Sequence, residues 1–373
     1  MKVLPVLVII LASLPAAALA DGGILPDYYF HVYEPEQKAI IVWNGTTETM
    51  LLSTRFTADR LGNMAWIVPI QSSTKPEVSA SDIAVFDEFV NYFIPPRTYG
   101  PDLGIMASGM SKGGVEVIET VKVDIYDITI LKTAGASALV DWLNDNGYKV
   151  PADAAPVLAR YVGEDRYFMA NKVDLRNKYA SAIQKMVAFN SSFESMTFEE
   201  QVRLVETKYY QDDEPDVWEL AKTFHGLESG MSTPLRITFT PSKPTFPLAI
   251  SSINSGPTRI DIYVAAPTAM RDGNGVLGVD DSLSITDTFR SDVAEFIDLG
   301  DARVITRFTY DGDLSGLRND AEFAPATGLQ VENVDVRDFI AGIESVPLVI
   351  MDVLMMIVSL PFLILGSVLS SVF

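Results

Sequence analysis

The sequence predicts an α+β protein: a β-rich extracytoplasmic body with a central helical insertion, followed by one C-terminal transmembrane helix. Three observations lead there. Aromatic and β-branched runs of strand length cluster toward both ends of the body, amphipathic helical patterns fill the stretch between them, and the last 21 residues carry no charge. Strands gathered at both ends with helices between, rather than alternating one for one, indicate α+β. The uncharged stretch runs from Val353 to Phe373 (VLMMIVSLPFLILGSVLSSVF). About 20 apolar residues cross the ~30 Å hydrocarbon core of a bilayer, so it has the length of a membrane span.

Composition narrows the partners. Acidic residues outnumber basic ones 49 to 28, a formal charge of −21 over 373 residues. That balance repels phosphate backbones and anionic headgroups, so no nucleic acid partner is expected. The chain has no cysteine. Disulfides, thiol nucleophiles, Cys-ligated zinc, iron–sulfur clusters and thiol-linked lipids are thereby removed.

Residues 1–20, MKVLPVLVIILASLPAAALA, read as a signal peptide. Lys2 supplies the positive start, an apolar run follows, and Ala18-x-Ala20 is a small-residue cleavage site before Asp21. With the tail, this predicts a single-pass protein of the cell membrane with its body on the extracytoplasmic side. Within the tail, Asp352 marks the outer edge, Pro361 a mid-span kink, and Gly366-x-x-x-Ser370 a small-residue pair that permits close helix packing.

The expected organisation is an N-terminal α+β region at 21–175, the helical insertion at 176–230, a C-terminal β-rich region of the same body at 231–336, a stalk at 337–352 and the span at 353–373. Strands are expected over 28–33, 38–43, 50–56 and 65–70, with Asn44-Gly45 as a two-residue hairpin turn because both its central positions need positive φ. Pro69 places the fourth of these near a sheet edge or end. Ile83, Phe86, Val90 and Phe93 recur at helical spacing, with Ser81 or Asp82 available as cap. The Gly- and Ser-rich stretch 99–114 is a loop. Strands follow over 115–123, 126–131 and 167–173, with helices over 136–146, ended by Gly147, and 154–162.

The runs Glu34-Pro35-Glu36-Gln37-Lys38-Ala39-Ile40-Ile41-Val42-Trp43 and Ala65-Trp66-Ile67-Val68-Pro69 resemble the N-terminal signature of the DUF2330 family. So do Tyr126-Asp127-Ile128-Thr129-Ile130-Leu131, Ala138-Leu139-Val140-Asp141-Trp142-Leu143 and Asn146-Gly147-Tyr148. The pieces 234–239 and 304–308 resemble later family blocks, so the likeness extends in patches from Asp21 to about Ala326. The resemblance implies export but no activity and no catalytic residues. Where many members place a cysteine beside the Gly-Gly near the mature N-terminus, this chain has Asp21-Gly22-Gly23, and its segment 176–230 is longer than the family pattern leads one to expect.

That segment is helical. Residues 178–189 place Ala182, Met186 and Phe189 on one side; Thr197-x-x-Glu200 is a capping box opening a helix with Val202, Val205 and Tyr209 as its stripe. Residues 215–227 turn Trp218, Ala221 and Phe224 inward. A helical hairpin on the body is the plain reading, a partner-binding module the sharper one. Strands resume over 235–240, 246–253, 259–265 and 303–310, with a short helix near 290–297 and a polar final strand or stalk over 330–336.

Candidate chemistry is sparse. Gly273-Asn274-Gly275-Val276-Leu277-Gly278 matches GxGxxG, which signals dinucleotide binding only between a strand and a helix. Val279 to Leu283 is a poor helix start, so a glycine turn is expected. Asp311, Asp313, Ser315, Gly316 and Glu322 match EF-hand positions one, three, five, six and twelve, whose oxygens suit calcium. Arg318 at position eight and a strand before the loop favour a solvated turn; a weak calcium site is the alternative. His31 and His225 are the only histidines, too few for a zinc centre with three protein ligands. Trp43, Trp66, Trp142 and Trp218 sit in regular elements and are expected in the core. Asn44-Gly45-Thr46 and Asn190-Ser191-Ser192 are glycosylation sequons whose use depends on the host.

The expected function is therefore a membrane-tethered binding protein or envelope-complex component without a cofactor. Its protein partner would be held by the helical insertion or the tail helix. The alternative is a carboxylate-dependent hydrolase, calcium-assisted if the loop at Asp311 holds the ion.

Overall fold

A computed structural model describes residues 23–25, 32–58, 65–93, 115–148, 150–151, 154–212, 214–229 and 233–333. The expected signal peptide, the expected loop over 99–114, His31, the expected stalk and the expected span over 353–373 lie outside the described residues. The chain divides into a body, Met1–Val331, and a second unit, Glu332–Phe373. Among the described residues no helix is long and apolar enough to cross a membrane.

The body is a mixed α/β, sheet-rich fold. The strands are β1 (Gly23–Leu25), β2 (Val32–Trp43), β3 (Glu48–Ala58), β4 (Ala65–Gln71), β5 (Glu77–Ala80), β6 (Val115–Val123), β7 (Tyr126–Thr133) and β8 (Arg166–Val173) in the first half. The second half adds β9 (Leu235–Phe239), β10 (Thr245–Phe246), β11 (Pro257–Ala266), β12 (Met270–Asp272), β13 (Gly278–Ser284), β14 (Val304–Asp313) and β15 (Ala321–Pro325). The helices are α1 (Ile83–Phe93), α2 (Ala136–Asp145), α3 (Ala154–Leu158), α4 (Arg176–Phe189), α5 (Phe198–Asp212), α6 (Pro215–Ser229) and α7 (Asp287–Val293).

Several local signals act as read. Asp82 Oδ1 accepts the Ala84 N–H at 2.8 Å and starts α1. After α2, Gly147 takes φ 91°, Tyr148 N–H reaches the Leu143 carbonyl at 2.9 Å and Gly147 N–H the Asn144 carbonyl at 3.1 Å, a Schellman closure. The capping box closes both ways: Thr197 Oγ1 accepts Glu200 N–H at 3.3 Å, and Glu200 Oε2 accepts Thr197 N–H at 2.8 Å.

Others are corrected. The β2–β3 register pairs Trp43 with Glu48, leaving a four-residue loop rather than a two-residue turn. Asn44 Oδ1 organises it by accepting Thr46 and Thr47 N–H at 3.0 and 2.8 Å. Of the strand expected over 246–253, only Phe246 belongs to β10, and the 3₁₀ turn Leu248–Ile253 follows Pro247. Pro247 has no N–H for a ladder, and Leu248, Ala249 and Ile250 bury in the turn instead. Pro69 sits within β4; among the described residues β1 pairs β4 only as far as Ile67, and Pro69 itself stands opposite Phe168 of β8.

Two large sheets face each other. The first runs β13-β14-β11-β2-β3-β9-β5, with β11 and β2 parallel and the other pairs antiparallel; the second runs β1-β4-β8-β7-β6, all antiparallel. The period of two sorts each strand. Ala39, Ile41 and Leu52 from the first sheet share one core with Trp66, Ile130 and Met169 from the second. Ile40, Val42 and Leu51 turn outward onto Phe86 and Phe89 of α1 and Phe289 of α7. Ile67, Leu131 and Phe168 turn outward onto Leu139 and Leu143 of α2 and Leu158 of α3. The layers are therefore helix, sheet, sheet, helix. From α4–α6, Met186, Val205, Leu220 and Phe224 enter the inter-sheet core, so the insertion is an integral wall of the body. Burying a side chain such as Phe224 contributes roughly 1.5–3 kcal/mol. A third sheet, β10-β15-β12, packs at the edge of this core through Phe246, Ala321 and Phe323.

Candidate functional sites

Of the residues proposed for calcium, Asp313 and Ser315 are joined to each other, while Asp311 and Glu322 have other neighbours. Asp311 and Asp313 remain in β14, opposite Arg259 and Pro257 of β11. Asp313 Oδ1 accepts Ser315 Oγ–H at 2.5 Å and Ser315 N–H at 2.9 Å, which lowers its carboxyl below the usual range. Glu322 lies in β15 and pairs with Lys243 at 2.5 Å. Among the described residues no group of three or more His, Asp or Glu side chains is arranged to hold a metal ion. The extended backbone of β14 separates side chains that an EF-hand loop would curl around one point. His225 stands against Glu206 at 3.0 Å. Asn44 is exposed at the hairpin tip, and Asn190 follows α4 with its Oδ1 accepting Ser192 N–H at 2.9 Å. The GxGxxG stretch connects strand β12 to strand β13, as a turn with Gly275 at φ 66°.

What does converge is a set of buried carboxylates around the third sheet. Asp272 accepts four backbone N–H groups: Asn274 and Glu322 on Oδ1 at 3.0 and 3.1 Å, Val276 and Leu277 on Oδ2 at 2.7 and 3.0 Å. Glu48, fully buried at the start of β3, accepts Thr245 N–H on Oε2 at 3.0 Å, and its Oε1 has no partner. Burial holds its carboxyl well above the usual range. Asp320 accepts the Tyr161 hydroxyl at 2.5 Å and Ala249 N–H at 2.9 Å; burial raises its pKa and that of the Tyr161 phenol as well. Beside them is a cavity of about 50 Å³ lined by Gln71, Tyr161, Arg166, Thr245, Asp320 and Glu322. That space is of a size for water and too small for a sugar ring. The carboxylates are mostly committed to backbone N–H groups, so their chemistry is to fasten β10, β12 and β15 to the large sheets. Only the Asx-like turn at Asp272-Gly273-Asn274 had a sequence signal; Glu48 and Asp320 look like any other acid in an acidic chain.

The second candidate is the outer end of the helical insertion. Trp218, expected inside, is 39 % exposed, because its ring stacks on Tyr209 (centroids 4.5 Å apart, 26° between planes) rather than entering the core. Tyr210 is 81 % exposed and Phe189 41 %. Lys208 lies 5.5 Å from the Phe189 ring and Lys222 5.9 Å from that of Trp218. The charges here are paired: Lys185 with Glu214 and, at 2.8 Å, Asp216; Lys208 with Glu214 at 3.1 Å; Lys222 with Glu219 at 2.6 Å. The result is an aromatic, locally charge-balanced face. The period-of-3.6 reading missed it because Trp218 lies at the margin of the apolar stripe.

Where the insertion meets the end of β8 there is also a cleft of about 150 Å³, with Ile183, Phe193 and Phe224 below and Lys172, Arg176 and Glu194 at its rim.

No curated protein and no solved structure matches the chain. A sequence family does, over residues 15–208, just over half of the chain. The match runs from the N-terminal strands through α4 and most of α5, so the first part of the insertion falls within the family pattern, and β9–β15 lie beyond the matched residues. By that match the chain belongs to DUF2330, a family described as uncharacterized proteins conserved in bacteria.

Proposed function

We propose that this chain is a membrane-tethered extracytoplasmic binding protein whose aromatic face engages another component of the cell envelope. The observation that carries it is the gathering of Phe189, Tyr210 and Trp218, three of the five exposed large hydrophobic side chains among the described residues, at one end of the insertion. Tyr and Trp are favoured at recognition surfaces because they bring large apolar area with a polar handle and little conformational freedom to lose. Support for the tether comes from the uncharged 21 residues at 353–373 and the signal-like 1–20.

The test is membrane fractionation with crosslinking. The full chain should sediment with membranes, deletion of 353–373 should release it, and Tyr210→Ser with Trp218→Ser should abolish crosslinked partners while leaving the fold intact. A full chain found in the soluble fraction removes the tether, and unchanged crosslinks in the double variant remove the aromatic face. A carboxylate hydrolase would draw on Asp320 and Glu322, but the small cavity beside them and the ion pair of Glu322 with Lys243 favour the binding reading.

A further inference from the structure

We propose that Glu48 is a buried proton-binding site that latches the third sheet: protonated, it seats β10, and deprotonated, it lets β10 come away and water enter beside it. Glu48 is fully buried, its Oε1 has no partner, and its Oε2 accepts one hydrogen bond, from the Thr245 N–H of β10 at 3.0 Å. Ionised in that place, the group would be a buried charge without a counter-ion. A protein relieves such a charge by keeping the group neutral or by bringing it to water.

Among the described residues no cation pairs with it. Its ladder neighbours are Trp43 of β2 and Phe239 of β9. From β15, Glu322 stands opposite Thr245 and is ion-paired with Lys243 at 2.5 Å. The other titratable groups on the adjoining cavity are Arg166, Tyr161 and Asp320, the last two bonded to each other. Burial accordingly holds the Glu48 carboxyl well above its ordinary range, opposed only by the Thr245 N–H.

Two elements could move to let water reach an ionised Glu48. The hairpin end at Trp43 and Glu48 is held by ladders on both sides, to β2 and β9. β10 is an edge strand of two residues paired with β15 alone, and the cavity of about 50 Å³ lies against its Thr245. β10 is therefore the element that yields. Its opening frees the Thr245 N–H and also the Phe323 N–H, which donates to the Pro244 carbonyl at 2.9 Å. The closed state holds one more proton than the open one. The latch is thus fully closed below the ordinary carboxyl value of 4.5 and is lost as pH rises through the folded value, opening by about tenfold per pH unit between the two and levelling off above.

The test is hydrogen exchange of the full chain in detergent from about pH 5 to about pH 9, each rate divided by the intrinsic rate at that pH. Thr245 and Phe323 should lose protection by about tenfold per pH unit over the lower part of this range, while staying at least about tenfold less protected than the amides of β2, the mark of opening short of unfolding. Glu48→Gln keeps an acceptor for Thr245 and cannot ionise, so that pH dependence should vanish; should it fail to fold, Glu48→Met, similar in size and without charge, replaces it. Protection of Thr245 and Phe323 that does not change with pH, that changes equally in the non-ionising variant, or that equals the protection of β2 overturns the proposal.

Discussion

The Tyr161 hydroxyl donates to Asp320 at 2.5 Å, across 159 residues of sequence. Tyr161 ends the 3₁₀ turn Ala159–Tyr161 beside the second large sheet, and Asp320 immediately precedes β15 of the third. One hydrogen bond therefore ties two sheets that share no ladder, and Asp320 extends the tie to the Ala249 backbone at 2.9 Å.

Tyr161→Phe keeps the ring and removes this donor, leaving Asp320 with its backbone partner. The expected loss is about 1–3 kcal/mol, the range for a buried polar atom deprived of its partner. Urea unfolding at neutral pH measures it, and a change below the error of the fit refutes the tie.

Glu48 gives a pH-dependent outcome. Its folded pKa is raised by burial, so the folded state holds its proton more tightly than the unfolded chain. This contribution to stability is fully present below the unfolded value of 4.5 and is lost as pH rises through the folded value. Glu48→Gln cannot ionise and should be more stable than the parent by roughly 1 kcal/mol or more at about pH 7, with the gap closing toward about pH 4. Paired denaturation curves at the two pH values check both the sign and the trend.

Asp272→Ala strips the acceptor from four backbone N–H groups at once. A cost of about 3 kcal/mol or more is expected, since hydrogen bonds to a charged group contribute roughly 1.5–3 kcal/mol each and partial rehydration offsets some of them. Hydrogen exchange should show the amides of Asn274, Val276, Leu277 and Glu322 losing protection together.

The two sides of the insertion should respond oppositely. Phe224→Ala opens the inter-sheet core, where the ring is 1 % exposed, and should cost about 3–5 kcal/mol. Tyr210→Ser, at 81 % exposure, should shift stability by less than about 0.5 kcal/mol. A large loss from Tyr210→Ser would mean that the aromatic face is structural rather than available for recognition.

Much of the fold was legible because its signals are local. The apolar spacing of Ile83, Phe86 and Val90, the cap at Asp82, the capping box at Thr197 and Glu200 and the glycine at 147 each act within one or two turns of chain. Where the reading failed, a neighbour distant in sequence had intervened. Residues 279–283, for which the sequence suggested no element beyond a poor helix start, belong to β13 because β14 offers a ladder, with a shift in register between Val279 and Asp281. Trp218 left the core because Tyr209, on the preceding helix, offers a stacking surface.

The sequence by itself determined the character of the chain: its acidic balance, the absence of cysteine, the two apolar end segments and a family pattern matched over residues 15–208. It also set most strands and helices, since side-chain periodicity and caps depend on residues a few positions apart. Only the tertiary structure decided which carboxylates matter. Glu48 and Asp272 are buried, and the backbone N–H groups turned toward Glu48, Asp272 and Asp320 come from segments distant in the chain: Thr245, Glu322 and Ala249. It likewise decided that, among the described residues, no three acidic or histidine side chains gather as a metal would need. Burial and electrostatic partnership depend on distances across the folded chain, and no spacing along the sequence encodes them.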